Sequence, residues 1–442
     1  MKQGRNKLKQ TVFKHVTTVA ALAAVLCAAL APPLKAEENI LTLRKIIAIS
    51  RENNGELKAL REEAGIGEAG KIKAGLFPNP VLELEGATGE LTGSESEERM
   101  SVGVSQEFLI GGKREKRLAV ADAESTRFQS RIKDAERVLL LELKSGFYDL
   151  LLAERRLDLA QKAVEFNSQL LHITRERFAA GDIAELDVNL ARVEAARSEG
   201  RRIEVEHELV PLRQRLLSYM GTSDLENLRI TDTVDTQGLS MDLAELKALA
   251  LKNRPDLQAL ASEKSKGEAE LDLALAERLP NITAGLAYSR ERSVTSFGGV
   301  DDRSTEHLIG LTLSVPLPLF DRNQAVLQES RIKKSSAETR LPFARQNIER
   351  EVAAAHARLA SADKSLNIYA REIIPQLSEN LKVVQEAYRL GELGILAVIE
   401  EQTKFIDVNE EYLSAHYSRN TALAKLEAAV GMELNEIDGG AQ

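Results

Sequence analysis

The sequence repeats itself, and the two copies align across almost their whole length. Several residues recur at a constant distance of 200 positions, with Leu43, Ala48, Asn53, Leu57, Ala59, Leu60 and Glu68 matching Leu243, Ala248, Asn253, Leu257, Ala259, Leu260 and Glu268. Pro78-Asn79 returns as Pro280-Asn281, and the stretch from Phe178 to Leu186 returns 210 positions later, from Tyr388 to Leu396. An internal repeat constrains the architecture more than any single residue does. We therefore predict two equivalent units, each containing a short helix, a strand pair, a very long helix and a long return helix.

The first 36 residues differ from the rest of the chain. A basic stretch ending at Lys14 is followed by the apolar stretch Val16–Ala31 and a small residue before the first acids. This is typical of a cleaved secretory signal peptide at 1–36, and an uncleaved N-terminal anchor is the alternative. The segment carries six basic and no acidic residues, so its removal lowers the net charge from −9 to −15. It also holds the single cysteine, Cys27, where the preceding Leu26 disfavours lipid attachment.

The rest of the chain divides into a first repeat at 37–239 and a second at 240–442. We expect strands at about 80–108 and 280–316, and helical hairpins at about 113–221 and 322–431. Charged residues make up 29% of the chain and aromatic residues only 4%, which is typical of long helices with a thin core. The net acidic charge argues against a nucleic-acid partner.

The long helices carry a heptad pattern. In the second copy the apolar positions follow alternating steps of four and three, at Ile348, Val352, Ala355, Leu359, Ala362, Leu366, Tyr369 and Ile373. In the first copy, about 65 residues from Lys113 to Phe178 contain no strong helix breaker except Gly146. At 1.5 Å per residue this is roughly 100 Å of helix. We expect Pro211 and Pro375 to kink their helices.

Each long helix is predicted to turn back at a glycine followed by an acid. Gly181-Asp182 forms this turn in the first copy and Gly391-Glu392 in the second. A glycine is expected there because the end of a helix before a tight turn favours the left-handed conformation. Acids cluster near both turns, at Asp182, Glu185, Asp187, Glu392, Glu400 and Glu401.

Four segments alternate between apolar and small polar residues. Met100, Val102 and Val104 share one face, and Ile309, Leu311 and Leu313 share another. Strands of 9–11 residues with one apolar face suit a membrane barrel, although alternation alone fits two hairpins on a soluble core equally well. Four strands cannot close a barrel, and open edges in lipid are costly. Three chains would supply twelve strands, so we predict a homotrimer.

No pattern in the sequence predicts an enzyme, a cofactor or a metal centre. The segment Gly65–Gly70 matches a dinucleotide-binding fingerprint but lacks the preceding strand that this motif requires. The six histidines are never spaced three or four residues apart, and no zinc-ligand motif occurs. The many Glu/Arg neighbours along the helices fit solvated coiled-coil faces.

The duplicated strand-pair and hairpin pattern resembles the TolC-type outer-membrane efflux proteins over essentially the whole mature chain. Several motifs are similar to those of the CzcC-like cation-efflux branch of that family, namely Phe77–Pro80, Ser105–Arg114, Arg254–Leu257, Leu279–Asn281 and Val315–Arg322. The resemblance implies a fold that is mainly α with a small β part. It also implies a homotrimer with a twelve-stranded barrel in outer-membrane lipid and a helical tunnel in the periplasm.

The same resemblance implies partners and functional residues. A periplasmic adaptor (membrane-fusion) protein and an inner-membrane pump would complete a tripartite exporter. The hairpin tips would dock the adaptor, through Gly181, Asp182, Leu186, Gly391, Glu392 and Leu396. Acids just beyond the turns would narrow the tunnel, which makes Asp187 and Glu400 the gate candidates. One turn before Glu400 stands Ala397, which departs from a doubled acidic ring.

We therefore predict a passive outer-membrane duct for efflux, with heavy-metal cations as cargo. One alternative keeps the duct and changes the cargo to drugs, small organic molecules or a secreted polypeptide. A second alternative is a periplasmic coiled-coil scaffold without a pore.

Overall fold

The computed structural model describes residues 40–92, 97–223, 229–231 and 241–434. The predicted signal peptide, with Cys27, and the predicted boundary between the repeats at 239/240 lie outside these residues. The first part of the chain forms, in order, β1 Ile40–Leu41, α1 Leu43–Asn53, α2 Gly55–Gly75, β2 Val81–Thr88, β3 Glu98–Phe108, α3 Lys113–Ala179, α4 Glu185–Met220 and β4 Arg229–Ile230. The second part forms α5 Leu243–Asn253, α6 Pro255–Glu277, β5 Ile282–Phe297, β6 Val300–Ser314, α7 Gln324–Ile368, α8 Ile374–Arg389 and α9 Ile395–Val430.

The helix α3 is a single rod of 67 residues, which is about 100 Å at 1.5 Å per residue. It buries one stripe, including the fully buried Leu143, Phe147 and Leu150, against the short helix α1 and the return helix α4. In the second copy the same kind of stripe, at Ile348, Val352, Ala355 and Leu359 of α7, packs against α5 and α9. The first four predicted heptad positions of the second copy therefore lie in a core, whereas the last four, Ala362, Leu366, Tyr369 and Ile373, are only half-buried.

The two prolines behave differently from each other. The helix α4 continues as one helix through Pro211. At Pro375, α7 and α8 are joined by a π-helical turn, Tyr369–Ile373, rather than by a break. Because proline lacks an amide hydrogen and crowds the preceding turn, a wider turn just before it relieves both problems.

The helix α4 also corrects one predicted seam. The apolar steps of three and four in the sequence of this return helix predict a seam along Leu186, Leu190, Val193, Ala196, Gly200 and Ile203. The structure instead buries a different heptad stripe, made of Val188, Ala191, Ser198, Val205, Leu209 and Leu216. Apart from the half-buried Leu190, the predicted seam is exposed along its whole length. The helix therefore has two apolar stripes, and the single chain covers only one of them.

The four long strands form one antiparallel sheet in the order β2-β3-β5-β6. The two copies share the same pairing, because Val81 opposes Ser105 in the first and Thr283 opposes Ser314 in the second. Apolar side chains on one face stay exposed, including Leu84 at 71% and Leu311 at 86%. The strands β5 and β6 have 16 and 15 residues, which is longer than the predicted 9–11. Their outer halves carry polar residues on both faces, so alternation gave no signal there.

The sheet meets the helices at a corner held by a buried lysine. Lys113, the first residue of α3, is only 4% exposed. Its Nζ atom donates to the carbonyl oxygen of Leu279, at 2.6 Å, and to Oδ1 of Asn281, at 2.5 Å. Asn281 in turn donates to Glu107 at the end of β3. Burial is the largest influence on the Lys113 ammonium and lowers its pKa. This corner therefore joins the two repeats where the strands become helices.

Candidate functional site: the paired hairpin tips

The first hairpin tip is a tight turn between α3 and α4. Gly181 adopts the left-handed conformation, with φ of +84°. Its amide donates to the carbonyl oxygen of Phe178, and the amide of Asp182 donates to that of Arg177. These two bonds satisfy the free carbonyl groups at the end of the helix, which is the common use of a glycine after a helix. A Cβ atom on Gly181 would meet nothing within 4 Å, so only backbone strain opposes a side chain there.

The second tip repeats this geometry residue by residue. Gly391 has φ of +81°, its amide donates to the carbonyl oxygen of Tyr388, and the amide of Glu392 donates to that of Ala387. Both glycines therefore adopt the left-handed turn that the sequence predicted. A bidentate contact with Arg389, at 2.6 and 2.9 Å, lowers the pKa of the Glu386 carboxyl beside this tip.

The two tips of one chain lie side by side. A small core joins both hairpins and contains Leu170, Ala191, Tyr388, Ile395, Val398 and Ile399. Above it, the guanidinium of Arg177 lies 5.1 Å from the centre of the Tyr388 ring and donates to the Tyr388 carbonyl oxygen. The Tyr388 hydroxyl lies 3.3 Å from Oγ1 of the fully buried Thr174. Arg177 and Thr174 were not among the predicted site residues, although Arg177 stands directly before the repeated segment at Phe178.

The predicted docking residues lie on the outer surface of these tips. Leu186 and Leu396 are 66% and 54% exposed, although buried residues stand near each of them, Val188 two positions after Leu186 and Ile395 directly before Leu396. Asp182 and Glu392 are exposed at the turns themselves. Each tip therefore presents exposed leucine and carboxylate side chains on a backbone fixed by hydrogen bonds, and the second tip also exposes Leu390 and Leu393, at 60% and 40%.

The two gate candidates lie one to two helical turns beyond the tips. Asp187 is half-buried in the first turn of α4, and Glu400 is exposed in the second turn of α9. In the described part of the chain, neither side chain makes a hydrogen bond or an ion pair, and the two are not brought together. Next to Glu400, the buried Oε1 atom of Glu401 also has no hydrogen-bond partner among the described residues.

Among the described residues, no group of three or more His, Cys, Asp or Glu side chains is placed to hold a metal ion. None of the described helices is long and apolar enough to cross a membrane.

The sequence profile of one protein family, described as "Outer membrane efflux protein", matches residues 46–222 and 246–432. The chain belongs to this family. Its two matched segments cover most of the sequence and leave out the region around 223–245 between the repeats.

Similar sequences include two metal-resistance proteins and an outer membrane protein. The cobalt-zinc-cadmium resistance protein CzcC of Cupriavidus metallidurans is 22% identical over 84% of this chain and 86% of its own length. The nickel and cobalt resistance protein CnrC of the same organism is 22% identical over 70% of each chain. The outer membrane protein TolC of Escherichia coli is 22% identical over 69% of this chain and 63% of its own length.

Solved channel structures share the fold. A structure of CusC matches with a TM-score of 0.73 and 19% identity, over 88% of this chain and 92% of that one. The Campylobacter jejuni CmeC outer membrane channel matches with a TM-score of 0.71 and 14% identity, over 90% and 88%. The predicted fold class, mainly α with a small β part and long helical hairpins, is therefore confirmed. The relatives are channel and resistance proteins rather than enzymes.

Proposed function

We propose that this protein is the outer-membrane duct of a tripartite efflux system and that its cargo is heavy-metal cations. The observation that carries the cargo is the similarity to the cobalt-zinc-cadmium resistance protein CzcC over 84% of the chain. The nickel–cobalt and nickel–cobalt–cadmium resistance proteins CnrC and NccC are similar over 70% of it. The helical hairpins supply a passive path, and the energy for export comes from an inner-membrane pump.

The strands of this duct lie in the outer membrane of a Gram-negative-type cell, and the helices lie in the periplasm. The exposed apolar face of the sheet, with Leu84 and Leu311, suits contact with outer-membrane lipid. The sheet of one chain has two open edges, β2 and β6, and unpaired backbone groups in lipid cost several kcal/mol each. Three copies of the chain form a twelve-stranded barrel and remove these edges.

The hairpin tips dock a periplasmic adaptor protein in this proposal. The residues concerned are Gly181, Asp182, Leu186, Gly391, Glu392 and Leu396. Their support is the shared geometry of the two tips, since a homotrimer would present six similar turns on one ring. An adaptor that offers an apolar groove flanked by hydrogen-bond donors or basic groups would fit an exposed leucine beside a carboxylate.

Asp187 and Glu400 gate the tunnel in this proposal. Three chains place three copies of each carboxylate around the axis near the tips. Rings of carboxylates attract cations and select against anions. Neither carboxylate has a partner among the described residues, which leaves both available to face a tunnel.

Deletion of the gene tests the cargo. We expect the strain to lose tolerance to zinc, cobalt, cadmium or copper and to keep its tolerance to organic drugs. The wild-type gene should restore metal tolerance, whereas Leu186→Asp should restore it poorly, because the charge faces the apolar docking surface. Glu199→Gln, about three and a half turns further along α4, is the matched control. Unchanged metal tolerance with lost drug tolerance would support the alternative of organic cargo.

A further inference from the structure

Within the described residues, the two repeats contact each other both in the sheet and along the helices. In the sheet, β3 of the first repeat pairs with β5 of the second, with Val104 opposite Leu286. Among the helices, α3 lies against α9, where Lys144 contacts Glu427 at 2.7 Å. Every element in this contact has a counterpart in the other repeat. The counterparts of β3 and β5 are β6 and β2, and the counterparts of α3 and α9 are α7 and α4. Within each of these two pairs of counterparts, the elements stand at opposite edges of the described chain.

Two structural features show which positions of the two repeats are equivalent. The shared strand pairing aligns Ser105 with Ser314, 209 positions later. The helices agree, because a Cβ atom on Gly67 would lie 3.5 Å from Cα of Ser125, and one on Gly267 would lie 3.1 Å from Cα of Lys334. Ser125 and Lys334 are again 209 positions apart. For the first strand of each pair, Val81 aligns with Thr283, a distance of 202.

We propose that β6 of one chain pairs with β2 of a second copy in the register that places Leu313 opposite Leu84, and that α7 covers the exposed stripe of α4 in that copy. The register follows from the pair Val104–Leu286 within the chain. The equivalent of Val104, 209 positions later, is Leu313, and the equivalent of Leu286, 202 positions earlier, is Leu84. This inference rests on the proposed duct and goes beyond it by naming the residues that meet between chains.

The faces of the two strands agree with this register. It extends the apolar face without interruption, because Leu313 meets Leu84 and Val315 meets Leu82. On the other face Ser314 meets Glu83, as Ser105 meets Glu83 within one chain at 2.7 Å. A slip by one residue would place Glu83 opposite Leu313 and turn the whole apolar set to the wrong face.

The helices give independent support, because equivalent positions differ in exposure. On α4 a continuous heptad stripe is exposed in the single chain, at Val193, Ala196, Gly200, Ile203, His207 and Val210. The positions 210 residues later on α9 are all partly or fully buried, at Thr403, Ile406, Glu410, Leu413, Tyr417 and Asn420. On α9, α3 lies alongside this stripe, for example where Arg156 donates to Ser414. The equivalent of α3 is α7, and only a second copy can bring it to α4.

The corner between sheet and helices completes the contact. Lys113, which binds the Leu279 carbonyl and Asn281 within the chain, aligns with Arg322, and Asn281 aligns with Asn79. Both Arg322 and Asn79 are exposed in the single chain. In the proposed contact Arg322 donates to Asn79 of the second copy. The most exposed aromatic rings at this corner, Phe320 at 91% and Phe77 at 69%, also come together there.

Cysteine cross-linking tests the register in the full chain. Leu313→Cys and Leu84→Cys are placed on separately tagged chains and produced together in one cell. Ser314→Cys with Glu83→Cys forms the second pair, because neighbouring pairs of an antiparallel ladder alternate in spacing and one has Cα atoms about 4.5 Å apart. That distance suits a disulfide. We expect at least one pair to give oxidised dimers that carry both tags.

Two shifted pairs make the result specific. Leu313→Cys with Leu82→Cys or Gly86→Cys keeps the apolar face but moves the register by two, to about 7–8 Å, so only background cross-linking is expected. Val104→Cys with Leu286→Cys in one chain is the matched positive control for a bond within the chain. Dominant cross-linking by a shifted pair in a membrane-inserted oligomer overturns the register and leaves the duct standing. A monomer outside the membrane fraction, with no cross-link between chains from any pair, overturns the duct as well.

Discussion

A charge placed on the apolar face of β6 tests whether that face meets lipid. Leu311 is 86% exposed and lies in the middle of an apolar row between Ile309 and Leu313. It opposes Leu286 across the ladder, whereas its neighbour Thr312 opposes Gly285 on the other face. An arginine at the centre of the lipid-facing band costs about 2–4 kcal/mol per chain. At 1.4 kcal/mol per factor of ten, Leu311→Arg should shift the insertion equilibrium roughly 30- to 700-fold in each chain.

The matched variant is Thr312→Arg, which adds the same charge one residue away on the opposite face. Both proteins are unfolded in urea and refolded into lipid vesicles, and the fraction protected from added protease is measured across the urea titration. We expect Leu311→Arg to insert poorly and Thr312→Arg to insert close to wild type. Equal insertion of the two variants, or a larger defect in Thr312→Arg, would refute the assignment of faces. Equal insertion of the two variants would favour the scaffold without a pore.

Three further predictions concern stability and coupling. Lys144→Met should lower stability by about 3–5 kcal/mol, seen as a lower melting temperature, because it removes the ammonium group from the buried Glu427 carboxylate, whose other partner is the Leu434 amide. Adding Glu427→Gln, which removes the charge and keeps an acceptor for that amide, should restore most of the loss. Gly181→Val and Gly391→Val should weaken efflux without changing the oligomer size on a sizing column, since the strain of about 1–2 kcal/mol is local to each turn. Burial, followed by nearby arginines, lowers the pKa of His416, so its neutral form stabilises the fold above about pH 6.5 and this contribution is lost as the pH falls. His416→Gln should therefore show a smaller drop in melting temperature between pH 7.5 and pH 5.5 than wild type.

The repeat and the heptads predicted most of the helical framework. Buried positions such as Val352 and Leu359 follow the seven-residue pattern because one helix face meets a core. The pattern failed on α4, where Val188 and Leu209 are buried while Val193 is exposed. A helix with apolar stripes on two faces gives two valid seams, and the sequence alone does not say which partner belongs to the same chain.

The sequence predicted the turns at the tips but not the contact that joins them. Glycine followed by an acid identifies the turns, since left-handed backbone needs a residue without a side chain. The link between Arg177 and Tyr388 joins residues 211 positions apart, and no local pattern encodes such a distance. The outer halves of β5 and β6 lie within the predicted strand region 280–316, but alternation did not identify them, because polar strands outside an apolar band lack it.

The π-helical turn at Tyr369–Ile373 lies where the distance between equivalent positions of the two repeats changes. Upstream of it the repeats are 209 positions apart, with Leu150 matching Leu359, and downstream they are 210 apart, with Gly181 matching Gly391. The second copy therefore has one residue more than the first in this stretch of helix. A turn closed by i→i+5 bonds holds one residue more than an α turn, so the π-turn accommodates the extra residue within the helix. The two tips consequently keep the same turn geometry and lie side by side, at the expense of a regular helix.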